Sequence, residues 1–141
     1  MVFNLRMDYN ERMKKILILL FSLLISFNSY GEENWIPVTD SSDAVFYVNF
    51  DSIKEDSGYV YWWQMRDYSN QDDNGYMSDQ SYIQGDCGVN RIKLLSYNFY
   101  KQPMGNVLDK TVTAGNMKWV YPPPDTVAST ILSRICSIVS S

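Results

Sequence analysis

Two cysteines, Cys87 and Cys136, are the whole thiol content of this chain, and an export leader stands at the other end of it. Lys14 and Lys15 precede an almost unbroken apolar run from Ile16 to Phe27, and Ser29-Tyr30-Gly31 puts small residues at the two positions a signal peptidase inspects. Residues 1–31 therefore read as a signal peptide cleaved after Gly31, with Met13 as a second candidate start because residues 1–12 are polar and without pattern. The apolar run is short of the roughly 20 residues that span a bilayer, so a retained anchor is the weaker reading. In an oxidising compartment two cysteines most often form one structural disulfide, two buried thiols being the alternative, and no Cys-x-x-Cys pair suggests redox chemistry. A Cys87–Cys136 bond would tie the end of the chain to its middle and, in the chain-entropy account, remove about 4 kcal/mol of unfolded-state freedom.

What lies between is patterned for strands. Trp35 to Thr39 reads as a short edge strand, since Pro37 cannot donate to a ladder. Ala44 to Phe50 puts Ala44, Phe46, Val48 and Phe50 on one face. Tyr59 to Tyr68 is the most aromatic stretch: alternation sets Tyr59, Tyr61, Trp63 and Met65 against Val60, Trp62, Gln64, Arg66 and Tyr68. The first set is wholly large and apolar or amphipathic and is assigned to the core; the second, with its Arg and Gln, is assigned to water or a partner. Asn74-Gly75 favours a hairpin turn. Met77 to Cys87 then returns as a strand, and Gly88-Val89-Asn90 connects it to a partner strand from Arg91 to Lys101, whose change of face predicts a bulge near Leu94-Leu95. Further strands are expected over Val107 to Thr113 and Met117 to Tyr121, stopped by Pro122-Pro123-Pro124. From Thr126 to Val139, with Asp125 as the expected N-cap, Val127, Ile131, Ile135 and Ile138 recur at helical spacing. The fold class is therefore α+β: an antiparallel meander of about six strands with a C-terminal helix packed on it and one disulfide. Residues 32–141 form one domain.

Charge and chemistry narrow the function. The chain carries a net charge of −4, and the leader removes more base than acid, so nucleic-acid binding and a polybasic membrane role are disfavoured. The absence of histidine takes away Ser-His and Cys-His pairs, histidine-ligated zinc and the usual proton carrier near neutral pH. Asp67, Asp72, Asp73 and Asp79 cluster in sequence but do not fit a calcium loop, and a solvated hairpin tip is the expected role. No catalytic residue, metal site or cofactor is assigned. Trp62, Arg66 and Tyr68, sharing the mixed face of the third strand, are the candidate partner-facing residues, with packing beneath a loop or a dimer contact as the alternative.

Taken in order, these marks resemble a known family. Trp35, the run Tyr47-Val48-Asn49-Phe50-Asp51-Ser52-Ile53, Asp67-Tyr68, Tyr82, Asp86-Cys87, Arg91, Gly105, Trp119 before its prolines, and Cys136 are similar to the surface-adhesin protein E family of bacterial exported proteins. The resemblance implies an antiparallel sheet with a C-terminal helix held on it by a disulfide, and no enzymatic activity. The family's namesake is a lipid-anchored adhesin for host matrix proteins. Here no cysteine follows the cleavage position, so no lipid anchor is expected and the location is periplasmic or secreted. The expected function is a non-enzymatic binding domain for a protein ligand; the alternative is a structural envelope protein that associates with itself through its sheet edges.

Overall fold

The structure is a computed structural model that describes the backbone of residues 2–26 and 33–140 and the side chains of residues 9–21 and 33–140. The expected cleavage position after Gly31 lies outside the described residues. Two compact units are present, Met1–Glu33 and Asn34–Ser141. The first contains one helix, α1 (Val2–Ser26), and no described helix is long and apolar enough to cross a membrane.

The second unit is a six-stranded antiparallel sheet in strict meander order followed by a helix. Its strands are β1 (Trp35–Asp40), β2 (Ala44–Asp56), β3 (Tyr59–Tyr68), β4 (Ser78–Asp86), β5 (Arg91–Tyr100) and β6 (Leu108–Thr113), and the helix is α2 (Val127–Val139). The bulge on β5 falls where the change of face predicts it: Ser96 opposes Tyr82 and Leu94 opposes Ile83, leaving Leu95 unpaired in that ladder, its carbonyl accepting from Ala114 N–H at 2.9 Å. The Met117–Tyr121 strand shrinks to a single bridge between Ile92 and Val120. The connection from β4 to β5 is the four-residue turn 87–90, in which Asn90 takes a φ of 54°.

Helix α2 is capped by Thr126, not Asp125: the Thr126 hydroxyl accepts from Ser129 N–H at 3.2 Å, while Asp125 sits one step outside with a φ of 63°. Its buried stripe is Ile131, Leu132 and Ile135, packed in one cluster with Val48, Val60, Trp62 and Ile83 of the sheet. Cys136 beside that stripe is bonded to Cys87 at the end of β4, with Cα atoms 5.7 Å apart. The helix is thus held by burial on one side and a covalent tie on the other.

On β3 Met65 is buried as expected, but the face assignment is inverted for Val60 and Trp62 on one side and Tyr59, Tyr61 and Trp63 on the other. Trp62 is 1% exposed and lies under α2, so it is a core residue and faces no partner; Tyr59, Tyr61 and Trp63 are the half-buried rings on the opposite face. Two features make room for the indole. Four residues of β2, Phe50 to Ile53, bow out where the ladder passes Trp62, and Ser52 Oγ accepts from the Trp63 N–H at 2.9 Å. On the other side stands Gly85, where a Cβ would come within 2.7 Å of the Trp62 ring. The indole N–H donates to Gln64 Oε1 at 3.0 Å, so the ring is buried without an unpaired donor.

The opposite face closes at one end over Met65, which is also 1% exposed. A 3₁₀ turn, Pro103–Gly105, packs there, fixed by Gly105 N–H to Ser78 Oγ (2.9 Å) and Met104 N–H to Asp67 Oδ1 (2.7 Å). Gly105 has a φ of +71° and no room for a Cβ, which would meet Gln80 at 2.6 Å.

Two outcomes test this packing. Trp62→Ala lowers the unfolding free energy by about 3–5 kcal/mol and Gly85→Ala by about 1–3 kcal/mol, read from urea midpoints; wild-type midpoints for both would contradict the assignment of the core to this face. Replacing both cysteines by serine costs a further about 2–4 kcal/mol in the same assay, whereas an unchanged midpoint would show that the tie does not hold the helix.

Candidate binding surfaces

Because α2 has 13 residues, it is about 20 Å long, whereas a 10-residue strand such as β3 runs about 33 Å. Even laid along the strand it leaves part of its own face uncovered. Gln64, Arg66 and Tyr68 occupy that remainder, so two of the three candidate partner-facing residues, Arg66 and Tyr68, are brought together, and the third, Trp62, is buried beneath the helix.

Arg66 is held there by a residue that the sequence reading placed on a solvated tip. Asp79 stands opposite it on β4, is 2% exposed, and is no tip residue. Its Oδ2 accepts from Arg66 Nε (3.0 Å), from Arg66 Nη2 (2.6 Å) and from the Tyr68 hydroxyl (2.5 Å). The guanidinium also lies 4.9 Å from the centre of the Tyr68 ring. Burial opposes the charge on Arg66, but the facing carboxylate outweighs it and lifts the pKa. Burial first, and then the bond to Asp79, push the Tyr68 phenol well above its ordinary range. The Arg66 side chain is 40% exposed, which makes it a cation fixed in direction at the surface. Two other acidic residues of the cluster are structural, Asp72 Oδ1 accepting from the backbone of Asn74 and Tyr76 and Asp67 holding the 3₁₀ turn, while Asp73 is exposed at the hairpin tip.

The second surface is the face of the sheet turned away from α2. A cross-strand row of Trp35, Asn49, Trp63, Tyr82, Ser96 and Thr113 spans all six strands. Trp63 and Tyr82 stack with ring centres 5.0 Å apart, and Tyr61 leans on Tyr82 at 6.1 Å, its hydroxyl accepting from Gln84 Nε2 at 3.1 Å. At the end away from the 3₁₀ turn, Trp119 crosses this face, 5.4 Å from Tyr59 and beneath the cations of Arg91 (4.2 Å) and Lys93 (4.5 Å). Asp86 Oδ2 fixes Arg91 through Nε at 3.0 Å. Between the Trp119 strap and the 3₁₀ turn the rings of Tyr61, Trp63 and Tyr82 stay partly exposed. Of these, Tyr61 and Trp63 read as core residues in the sequence, because their size and alternation are those of a buried strand. The available signal was the purely aliphatic stripe of α2, which matches Val60 and Trp62 better than a row of tyrosines.

Over residues 35–137 the sequence matches the family described as surface-adhesin protein E. The chain belongs to the surface-adhesin protein E family. Its fold is similar to solved structures of Haemophilus influenzae protein E: one, in crystal form II, is 16% identical with a TM-score of 0.53, covering 79% of this chain and 100% of that one. Another is 15% identical with a TM-score of 0.54, covering 76% and 86%. At such identities the likeness speaks for the fold. None of the curated proteins matches. For this member of the protein E family, the architecture expected from the pattern and from the resemblance is therefore the observed one, with helix, sheet and Cys87–Cys136 bond in place.

The Tyr68 proton provides a check on the buried network. In the folded chain Tyr68 keeps its proton above pH 10, where an unfolded tyrosine loses it, so the folded state binds more protons there. This contribution to stability is complete below pH 10 and drains away as the pH rises through the higher folded value. Alkaline urea midpoints consequently fall more steeply for the wild type than for Tyr68→Phe; parallel slopes would show that Tyr68 is not so held.

Proposed function

We propose that this chain is an exported, adhesin-like binding protein without catalytic activity, which holds a protein ligand on the open sheet face through Tyr61, Trp63 and Tyr82. The observation that carries the reading is that row of partly exposed rings on the sheet face turned away from α2. Tyrosine and tryptophan bring large area at small entropic cost and dominate protein interfaces. Family membership supports an adhesive role, and the lack of histidine supports the absence of acid–base chemistry near neutral pH. The leader pattern and the disulfide support a periplasmic or secreted location.

A second reading places the ligand on Arg66 and Tyr68, favoured by the guanidinium that Asp79 keeps fixed at the surface. Capture from envelope and host-surface extracts separates the two. The wild type retains a partner that Trp63→Ala/Tyr82→Ala recovers at about one tenth the level or less, a loss of about 1.4 kcal/mol or more. Loss with Arg66→Ala alone selects the second reading, and equal recovery by all three proteins overturns both.

A further inference from the structure

Beside the outermost strand lies a groove that neither surface above includes. It runs between β1 and α2, encloses about 500 Å³, and has Ile36, Val38 and Phe50 as its floor and Thr130, Arg134 and Ser137 as its wall. That volume suits a short peptide segment rather than a single small ion. Three properties of the groove fix what would occupy it.

The first is the strand edge. β1 pairs with β2 on one side, and on the other it has no strand neighbour among the described residues, so its outer edge can pair with another extended chain. Only a peptide backbone matches that repeat of donors and acceptors. Pro37, which lacks an N–H, and the bulge at Val38 interrupt the edge, which suits a brief pairing and disfavours indiscriminate strand stacking.

The second is the floor. Ile36 is 40% exposed at the groove, while Val38 and Phe50 pack against the core from the same side, leaving an apolar strip between edge and helix. The third is the wall. Among the described residues Arg134 is the only charged group lining the groove, and it makes no ion pair. Its neighbours do not neutralise it: the Thr130 hydroxyl donates to the Thr126 carbonyl and the Ser137 hydroxyl to the carbonyl of Arg134 itself, so both are neutral groups whose hydrogens are spent within the helix. A guanidinium free to make a bidentate bond selects a carboxylate.

We infer that the groove between β1 and α2 is a binding site for an extended peptide segment that pairs with the β1 edge, sets apolar side chains on Ile36, Val38 and Phe50, and places an Asp or Glu carboxylate on Arg134. This goes beyond the binding role assigned to the open face, and the two can fail separately.

A random peptide library displayed on phage and panned against the immobilised protein tests it, with Arg134→Glu and Trp63→Ala/Tyr82→Ala proteins as parallel targets. Arg134 is an exposed helix residue outside the core stripe, so the Arg134→Glu protein keeps the wild-type melting profile. The expected selection is of peptides alternating β-forming apolar residues with at least one Asp or Glu. They bind the Trp63→Ala/Tyr82→Ala protein as well as the wild type and lose about tenfold or more on Arg134→Glu, with Lys in place of the acid restoring binding to that variant. Their binding also shifts the amide resonances of β1. Failure to enrich any saturable binder, or binders indifferent to Arg134→Glu, would each overturn the proposal. Binders lost only on Trp63→Ala/Tyr82→Ala would overturn it while leaving the open-face reading intact.

Discussion

The burial of Trp62 beneath the Ile131–Ile135 stripe of α2 is the contact on which the arrangement of this domain depends. One indole, enclosed by Val48, Val60, Ile83 and the helix, decides which face of the sheet becomes the interior. The surrounding backbone is shaped to it: β2 bows out over four residues beside it and β4 gives up a side chain at Gly85. The Cys87–Cys136 bond then joins the end of the central strand to the helix that covers it. Burial supplies the favourable free energy, and the cross-link limits the freedom of the unfolded chain.

A short helix on longer strands leaves a problem at the far end of the same face, and the chain answers it with polarity. Ser78, Asp79, Gln80 and Ser81 are four consecutive buried residues in the middle of the sheet, two on each face. On the helix side Asp79 is matched by Arg66 and Tyr68; on the other, Gln80 accepts from the Tyr100 hydroxyl at 2.8 Å and Ser78 donates to the Gln102 carbonyl at 2.7 Å. No buried side-chain polar atom among the described residues lacks a partner. Such a network contributes little net stability compared with an apolar equivalent, but a register slip of β4 would strand a charge in the interior. Its physical effect is to forbid the wrong pairing.

Much of the fold was legible because its signals are local. The strand over Tyr59–Tyr68 has the observed ends, the Leu94-Leu95 change of face marks a real bulge, and the recurrence of Ile131 and Ile135 marks the helix. What was not legible depends on contacts between distant segments. Alternation states that β3 has two faces but not which one meets α2, and the size of Tyr59, Tyr61 and Trp63 pointed the wrong way. Arg66 and Asp79 are opposed only once the β3–β4 register is set, so Asp79 looked like loop decoration beside Asp72 and Asp73. The capping of α2 by Thr126 rather than Asp125 turned on a single left-handed residue before the helix.

The same inversion changes what the aromatic face can do. Rings in a core must be enclosed, and their orientation is set by whatever surrounds them; Tyr61, Trp63 and Tyr82 are instead oriented from below, by the ladder that carries them and by their mutual contacts. The Trp119 strap and the Pro103–Gly105 turn close the two ends of the face without covering the rings between them. A ligand arriving there meets side chains with few rotamers left to lose, so little of its contact energy goes to ordering the protein. In the proposed binding mode the sheet itself carries the contact residues, and specificity would follow from the order of residues along a cross-strand row rather than from the lengths of the connecting loops.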